Sequence, residues 1–132
     1  MCVSVNSKRL EISAVLFAVG TAVTAAERMN IPAGQYRALF ATAEQAPTEI
    51  TPFKLDRLPV TNAEFAVFVA AQPRWQRGRI APLFADSRYL QAWQSDGNGN
   101  HNPLPEEAQA PVTHVSWFAA KAFCQARGGR LP

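Results

Sequence analysis

The sequence predicts a domain that combines short strands with two helices, and three stretches carry that prediction. "PFKLDRL" places Phe53 and Leu55 on one side and Lys54 and Asp56 on the other, the alternation of a half-buried strand. "VTNAEF" begins a helix at Thr61, and "SWFAAKAFCQARGG" has both the start and the stop of a second helix. A further strand is expected in "MNIPAGQYRALF", where its alternating positions are Tyr36, Ala38 and Phe40.

The start of the first helix is specified by several residues at once. Thr61 is the predicted N-cap, and Glu64 stands at the position of its capping-box partner. Pro73 bounds the helix at its other end. The residues predicted to face the core are Phe65, Phe68 and Val69.

The second helix is predicted to run from the N-cap Ser116 to the closing glycines Gly128 and Gly129. Its predicted core-facing stripe is Trp117, Ala120 and Cys124. Because the segment from Arg130 to Pro132 starts a new extended element, we expect the domain to continue beyond it.

Composition places the chain among globular proteins. Of its 132 residues 48% are apolar and 17% charged, and 13 basic against 10 acidic residues give a formal charge of +3. The densest basic cluster is Arg74, Arg77 and Arg79, which we interpret as a solvated loop rim rather than a nucleic-acid footprint. No nucleic-acid partner is therefore predicted.

Residues 1–26 have the three-part pattern of a signal peptide. Lys8 and Arg9 precede the apolar run "ISAVLFAVGTAV", and small residues stand before Glu27. A membrane anchor would need about 20 apolar residues, which this run lacks, and a buried N-terminal helix is the other alternative. The pattern predicts a periplasmic or secreted protein without a stable membrane anchor, whose mature domain is residues 27–132.

Removal of that leader would also remove Cys2 and leave Cys124 as a lone thiol in an oxidising compartment. Three interpretations of Cys124 are open: a disulfide with a partner outside this sequence, a buried apolar side chain, or a reactive nucleophile.

The stretch from Arg74 to Ala110 shows little regular pattern. One or two helical turns are expected in "LFADSRYLQAW", with Tyr89, Leu90 and Trp93 buried. In the long loop that follows, the residues that match the spacing of a calcium-binding loop are Asp96, Asn98, Asn100 and Glu107. His101 occupies the position where such a loop needs glycine, so asparagine–glycine turn chemistry is the simpler interpretation.

His101 and His114 are the only histidines, and they lack companions at metal-ligand spacing. We expect His114, in the apolar segment "PVTHVSW", to be a hydrogen-bonded core residue. The sequence contains no catalytic triad, P-loop or dinucleotide fingerprint, so no catalytic, cofactor-binding or metal-binding residue is predicted.

Two segments resemble the best-marked parts of the formylglycine-generating enzyme family, also called the sulfatase-modifying factor domain. They are "PFKLDRLPVTNAEFAVFV" and "APVTHVSWFAAKAFCQARGGRLP". In that family a strand leads into a V-T-N helix start, and P-V-x-x-V-S-W leads into a helix and then R-L-P. "MNIPAGQYRALF" is similar to the family's first strand, with Ala33 where a second glycine is common.

The resemblance implies an irregular α+β fold related to the C-type lectin fold, of which this chain is the N-terminal part. In the family the calcium-binding segments and the catalytic cysteine pair, which binds copper, come after R-L-P. Cys124 corresponds to a structural helix cysteine, and the resemblance implies that its disulfide partner also lies in the missing part.

The resemblance further implies an oxidase-like modification or maturation of a protein or peptide substrate by the full-length protein. Copper or iron, and calcium, are its implied cofactors, none of them held by this chain. "PLFADSRYLQAW" and "VSWFAAKAFC" resemble periplasmic members that accompany nitrite reductase. The alternative is a non-catalytic accessory domain of the same fold that assists a periplasmic metalloenzyme, with Thr61, Glu64 and Trp117 as scaffold.

The 132 residues alone are therefore expected to lack oxidase activity. Without the rest of the domain, we expect four aromatic residues to be partly exposed. They are Phe65, Phe68, Trp117 and Phe123.

Overall fold

A computed structural model describes residues 1–4, 27–42 and 44–132. Its strands are β1 (Val3–Ser4), β2 (Arg28–Ile31), β3 (Gly34–Tyr36), β4 (Thr48–Ile50), β5 (Phe53–Asp56), β6 (Gln94–Ser95) and β7 (His101–Asn102). Its helices are α1 (Asn62–Ala71) and α2 (Trp117–Ala126), with short 3₁₀ turns at Pro73–Trp75 and Pro105–Glu107. The described residues thus form the predicted mixture of helices and small sheets, an α+β arrangement.

The largest described sheet has the strand order β1–β5–β2, and both pairings are antiparallel. Leu55 of the central strand lies opposite Val3 on one side and Met29 on the other. The predicted strand at Phe53–Asp56 is confirmed. Val3 and Ser4, which lie in the predicted leader, belong to this sheet, whereas residues 5–26 lie outside the described residues.

The strand predicted through Tyr36, Ala38 and Phe40 is shorter than expected. β3 ends at Tyr36, because its partner β4 has only three residues to pair with it. A turn follows, in which the amide of Ala41 donates to the carbonyl of Ala38. Phe40 is consequently 92% exposed.

Helix α1 has the predicted capping box. The Thr61 hydroxyl accepts from the Glu64 amide at 3.2 Å, and the Glu64 carboxylate accepts from the Thr61 amide at 2.9 Å. The next two amides of the helix, of Asn62 and Ala63, donate to carbonyls of the 94–110 loop. Because these amides have no partner inside the helix, their bonds fix the loop against the helix start.

The predicted apolar face of α1 is buried, and it packs on α2 through aromatic rings. The centroid of Phe65 lies 5.4 Å from that of Phe123, and Phe68 lies 5.5 Å from Phe123. The expectation that these three rings would be partly exposed is therefore wrong, since each is at least nine-tenths buried.

Helix α2 begins at the predicted N-cap, where the Ser116 hydroxyl accepts from the Ala119 amide. At its end Gly128 adopts a φ of +70°, and the amides of Gly128 and Gly129 bond back to Gln125 and Cys124. A side chain at Gly129 would meet the carbonyl oxygen of Val3 at 2.7 Å, so glycine permits strand β1 to approach.

The predicted stripe of α2 needs a correction. Cys124 is buried, but Trp117, in the first turn of the same stripe, is 59% exposed. The buried face consists mainly of Ala119, Phe123 and Cys124. Cys124 is covered by the described residues 1–4, and these four residues do not cover the helix start two turns away, where the Lys121 ammonium lies over the Trp117 ring.

Asp56 also departs from its predicted outward position, since it is only 1% exposed. Its carboxylate accepts from the amide of Cys2 at 2.9 Å and from Nε of Arg28 at 3.2 Å, and Nη1 of Arg127 lies 3.6 Å away. Burial of a carboxylate is tolerated where it is paired and hydrogen-bonded in this way. The Asp56 carboxylate therefore connects its own strand to the residue before β1, to β2 and to the end of α2.

The core of the described residues extends from α1 and α2 to the 84–93 segment, where the predicted burial of Tyr89, Leu90 and Trp93 is confirmed. That segment forms successive turns rather than a helix. In the part of the chain that is described, no helix has the length and apolar character needed to cross a membrane.

Candidate functional site

A surface pocket of about 270 Å³ lies where the 86–89 segment meets the residues that lead into α2. Its lining is Asp86, Arg88, Tyr89, His114, Val115 and Ser116. We call it the His114 pocket. It lies beside two unusual backbone conformations, which make it the candidate functional site.

Leu90 and His114 both have positive φ angles, +48° and +53°. Such angles are uncommon for residues other than glycine, and they persist where surrounding structure holds them. Here the amide of Leu90 donates to the carbonyl of His114 at 2.9 Å. The Arg77 guanidinium donates to the carbonyls of Leu90 and Ser87, at 3.1 and 3.3 Å. The backbone beside the pocket is therefore held by one backbone hydrogen bond and by two from the Arg77 side chain.

The His114 side chain is hydrogen-bonded, as predicted, but it lies on the surface rather than in the core. Its Nε2 is 3.0 Å from the side-chain amide nitrogen of Gln91, and its Nδ1 is 3.2 Å from the Thr113 hydroxyl. Both ring nitrogens are therefore within hydrogen-bond distance of a polar side chain. The positive φ at His114 turns the side chain outward while Val112 and Val115 pack inward.

Tyr89 forms the inner wall of the pocket. Its hydroxyl donates to the carbonyl of Trp75 at 2.9 Å, and its side chain is 98% buried. Burial raises the pKa of the Tyr89 phenol well above its ordinary value, because the phenolate would lose its hydration. Tyr89 is thus a neutral hydrogen-bond donor whose hydroxyl is used to stabilise the fold.

The remaining polar groups of the His114 pocket are suited to binding. Asp86 and Arg88 form an exposed ion pair at 3.6 Å, and the Ser116 hydroxyl is engaged as the helix cap. The pocket therefore offers a carboxylate, a guanidinium and an imidazole, and its serine is not paired with a base. A small polar group could be held here by hydrogen bonds.

Cys124 does not await a partner from elsewhere, because it forms a disulfide with Cys2. This corrects the expectation that its partner lies outside the sequence. The bond spans 122 residues of sequence, and both side chains are buried. Cleavage of the predicted leader would remove Cys2, so this disulfide requires that residue 2 stays in the chain.

The loop that follows β6 is an asparagine–glycine turn, and the Asp96 side chain stabilises it. Its carboxylate accepts from the amides of Asn98 and Asn100 and from the Asn100 side chain. The hydrogen bond from the Asn100 side chain, followed by that from the Asn98 amide, holds the pKa of Asp96 below its usual range. Gly97 and Gly99 supply the positive φ angles that the turn needs. His101 pairs in β7 and its amide donates to the Gln76 side chain.

The described residues do not fit the copper, iron or calcium that the resemblance implies. The chain has two cysteines, and because they are bonded to each other neither offers a thiolate. No group of three or more histidine, cysteine and acidic side chains comes together in the described parts of the chain. The Asp96 carboxylate is occupied by its own loop.

Sequence patterns singled out Tyr89, His114 and Ser116 but not the pocket that they share. The pocket is formed by segments 86–89 and 114–116, and hydrogen bonds of His114 with Leu90 and Gln91 join these two parts of the chain. Asn62 was also missed: its buried side chain accepts from the Trp93 indole and donates to the Glu107 carbonyl. The only available signal was its place in the V-T-N helix start.

The chain is similar to several characterised proteins. It is 33% identical to the hercynine oxygenase of Mycolicibacterium smegmatis and 35% identical to that of Mycobacterium tuberculosis, in each case over 64% of this chain and 22% of the relative. It is 29% identical to the formylglycine-generating enzyme of Streptomyces coelicolor, over 80% of this chain and 43% of that enzyme. No solved structure matches the chain.

The chain therefore spans between about a fifth and less than half of these relatives. The family model described as the sulfatase-modifying factor enzyme 1-like domain matches residues 14–132, which is most of the chain. The chain belongs to the family of formylglycine-generating enzymes and their sulfatase-modifying factor relatives.

Proposed function

We propose that the protein containing this chain is an exported oxidase of the formylglycine-generating enzyme family that modifies or matures a protein or peptide substrate. The observation that carries the proposal is the family match over residues 14–132. The similarity to the Streptomyces formylglycine-generating enzyme, which extends over 80% of this chain, favours a protein substrate.

The described residues would contribute the scaffold of that oxidase. The two capped helices, the buried Asp56 and the disulfide fix the faces on which the rest of a domain can be built. A relation to the C-type lectin fold is part of this proposal. Metal ligands and reacting cysteines would come from residues other than those described, because Cys2 and Cys124 are bonded to each other.

Export is proposed from two features of the chain. Residues 1–26 have the basic and apolar parts of a secretion signal. Disulfides persist in secreted and periplasmic proteins and are rare in the cytosol, so the Cys2–Cys124 bond favours the same compartment. If the exported protein contains this disulfide, its leader is not cleaved, because cleavage would remove Cys2.

A non-catalytic accessory role is the second candidate. Its support is the similarity to a relative named "Inactive C-alpha-formylglycine-generating enzyme 2" of Bos taurus, 29% identical over 63% of this chain. In that case the His114 pocket and the surface of α2 would bind a partner without turnover.

The test is to purify the protein as the cell produces it and to incubate it with a sulfatase-motif peptide, with and without copper. The expected product has lost the cysteine thiol and gained an aldehyde, seen by mass spectrometry, and a peptide with serine in place of cysteine is the control. A parallel incubation contains hercynine in place of the peptide. Oxidation of hercynine without reaction of the peptide would contradict the proposal of a protein substrate. Turnover of neither would contradict the oxidase proposal and favour the accessory role.

A further inference from the structure

A groove of about 380 Å³ lies between the 3₁₀ turn after α1, the segment that follows it and the outer face of α2. Its main walls are aromatic and basic. They are Arg74, Trp75, Arg79, Phe84, Phe118 and Lys121. We call it the aromatic groove, and we infer that it binds an acidic segment of a partner protein that carries an aromatic side chain.

The first observation is a continuous row of rings. The centroid of Phe84 lies 5.2 Å from that of Phe118, which lies 5.3 Å from that of Trp117. These rings are 39%, 42% and 59% exposed. Single exposed apolar residues are ordinary, but a contiguous aromatic patch marks an interaction site. Aromatic residues and arginine are also the types enriched where proteins bind each other.

The second observation is the charge around the rings. Arg74, Arg79 and Lys121 line the groove, and no acidic residue is among its described walls. Arg74 stacks over Trp75 and Lys121 over Trp117, so the cations lie on the ring faces.

These three cations differ from the arginines that form ion pairs among the described residues. Arg28, Arg57, Arg88 and Arg127 each lie within 4 Å of a carboxylate. Within the described ranges, the side-chain hydrogen bonds of Arg74 and Arg79 instead go to the neutral side chains of Gln72 and Asn100. The groove therefore keeps its positive charge, and complementarity selects an acidic partner.

The shape favours a peptide over a small molecule. The volume is at the lower end of ligand pockets and suits one large side chain. The exposed rings continue past the groove to Trp117, which would contact neighbouring residues of an extended ligand. Trp75, which lines the groove, also has a buried indole N–H with no acceptor among the described residues.

The experiment measures binding of the full chain to a fluorescein-labelled peptide in which aspartates flank a central phenylalanine, by fluorescence anisotropy. We expect saturable binding that weakens as salt is raised, because exposed charge pairs are screened. A peptide with lysines in place of the aspartates, and one with alanine in place of the phenylalanine, should bind at least about tenfold more weakly.

Matched variants locate the site. Arg79→Ala with Lys121→Ala should weaken binding about tenfold, since two exposed charge pairs are lost. Arg57→Ala with Arg130→Ala removes the same charge outside the groove and should leave affinity unchanged. Phe118→Ala should also weaken binding about tenfold, whereas Phe40→Ala, at a fully exposed ring elsewhere, should not.

Three results would overturn the inference. One is equal affinity for the acidic and lysine peptides, and another is wild-type affinity in the Arg79 and Lys121 variant. The third is self-association of the chain that Phe118→Ala abolishes, seen by sedimentation, which would make a second copy the occupant. If Phe118→Ala does not fold by circular dichroism, the surface charge variants decide the matter alone. The measurement needs no turnover, so it stands apart from the oxidase proposal.

Discussion

The Cys2–Cys124 disulfide should dominate the stability of this chain. It joins the first residues of the protein to the last turn of α2, and both side chains are fully buried. Val3, next to it, pairs with Leu55 on one side and bonds with Arg130 on the other. The perturbation is to replace both cysteines by alanine, which removes the cross-link and leaves small apolar side chains in the core.

The magnitude follows from the length of chain that the bond closes. In the chain-entropy model, a link across 122 residues lowers the entropy of the unfolded chain by an amount worth about 5 kcal/mol. A domain of this size has a total free energy of unfolding of about 5–15 kcal/mol. Loss of the bond therefore removes a third or more of the stability.

The assay is urea denaturation followed by tryptophan fluorescence, with and without a thiol reductant. With a denaturant slope of about 2 kcal/mol per M, the midpoint of the oxidised protein should lie about 2.5 M above that of the double alanine variant. Reduction should lower the wild-type midpoint by a similar amount. It should leave the alanine variant unchanged, which controls for other effects of the reductant.

A midpoint that is the same before and after reduction would refute the reasoning. So would one or two free thiols per molecule in the denatured, non-reduced protein, because a chain with the Cys2–Cys124 bond has none. Intact mass then separates the causes. A product that begins near Glu27 would show that the leader is cleaved and Cys2 is lost, whereas a full-length product would show that the two cysteines do not pair.

Three further variants test the fold, each by denaturant titration of the full chain. Thr61→Ala should lower the free energy of unfolding by about 1 kcal/mol, whereas Thr61→Ser should be nearly neutral, because serine also caps; equal stability of the two would contradict the capping box. Asp56→Ala should cost about 3 kcal/mol, since it leaves the partly buried Arg28 and the buried amide of Cys2 without their acceptor, while Asp86→Ala at an exposed ion pair should change stability by less than about 0.5 kcal/mol. A small effect at Asp56 would show that water satisfies these donors. Because burial raises the pKa of the Tyr89 phenol, the unfolded chain ionises first, so stability should be full below about pH 10 and should fall as the pH rises above it. Tyr89→Phe should reduce this alkaline loss and cost about 1 kcal/mol at neutral pH through the lost bond to Trp75, whereas the exposed Tyr36→Phe should do neither.

The helices could be predicted from sequence because their determinants are local. Thr61 and Glu64 are three residues apart and satisfy each other's backbone, so neither needs a distant partner to define the helix start. Gly128 likewise closes α2 through bonds to carbonyls of the last turn. The burial of Phe65, Phe68 and Val69 followed from helical spacing alone.

Asp56 and Trp117 were misplaced because their environments are set by distant residues. A period-2 pattern assigns Asp56 to the solvent face, yet Arg28, Arg127 and the amide of Cys2 converge on it from three parts of the chain. Helical spacing assigns Trp117 to the same stripe as Cys124, but the described residues 1–4 cover only the later position. Periodicity shows which side chains share a face of a helix or strand. It does not show how much of that face is covered by other parts of the chain.

The same distinction explains why neither candidate site was visible as a site. The aromatic groove needs the 3₁₀ turn at Pro73–Trp75 to lie against α2, and the core contacts of Phe68 with Trp75 and Phe123 bring them together. The apolar face of α1, which could be predicted from the sequence, is thus also the surface that holds the two sides of the groove together. In the sequence, Arg74 and Arg79 form a basic run in a loop. In the folded molecule, the packing behind that loop places the same two charges beside Phe84 and Phe118, and this turns a solvated rim into a surface with aromatic and cationic character.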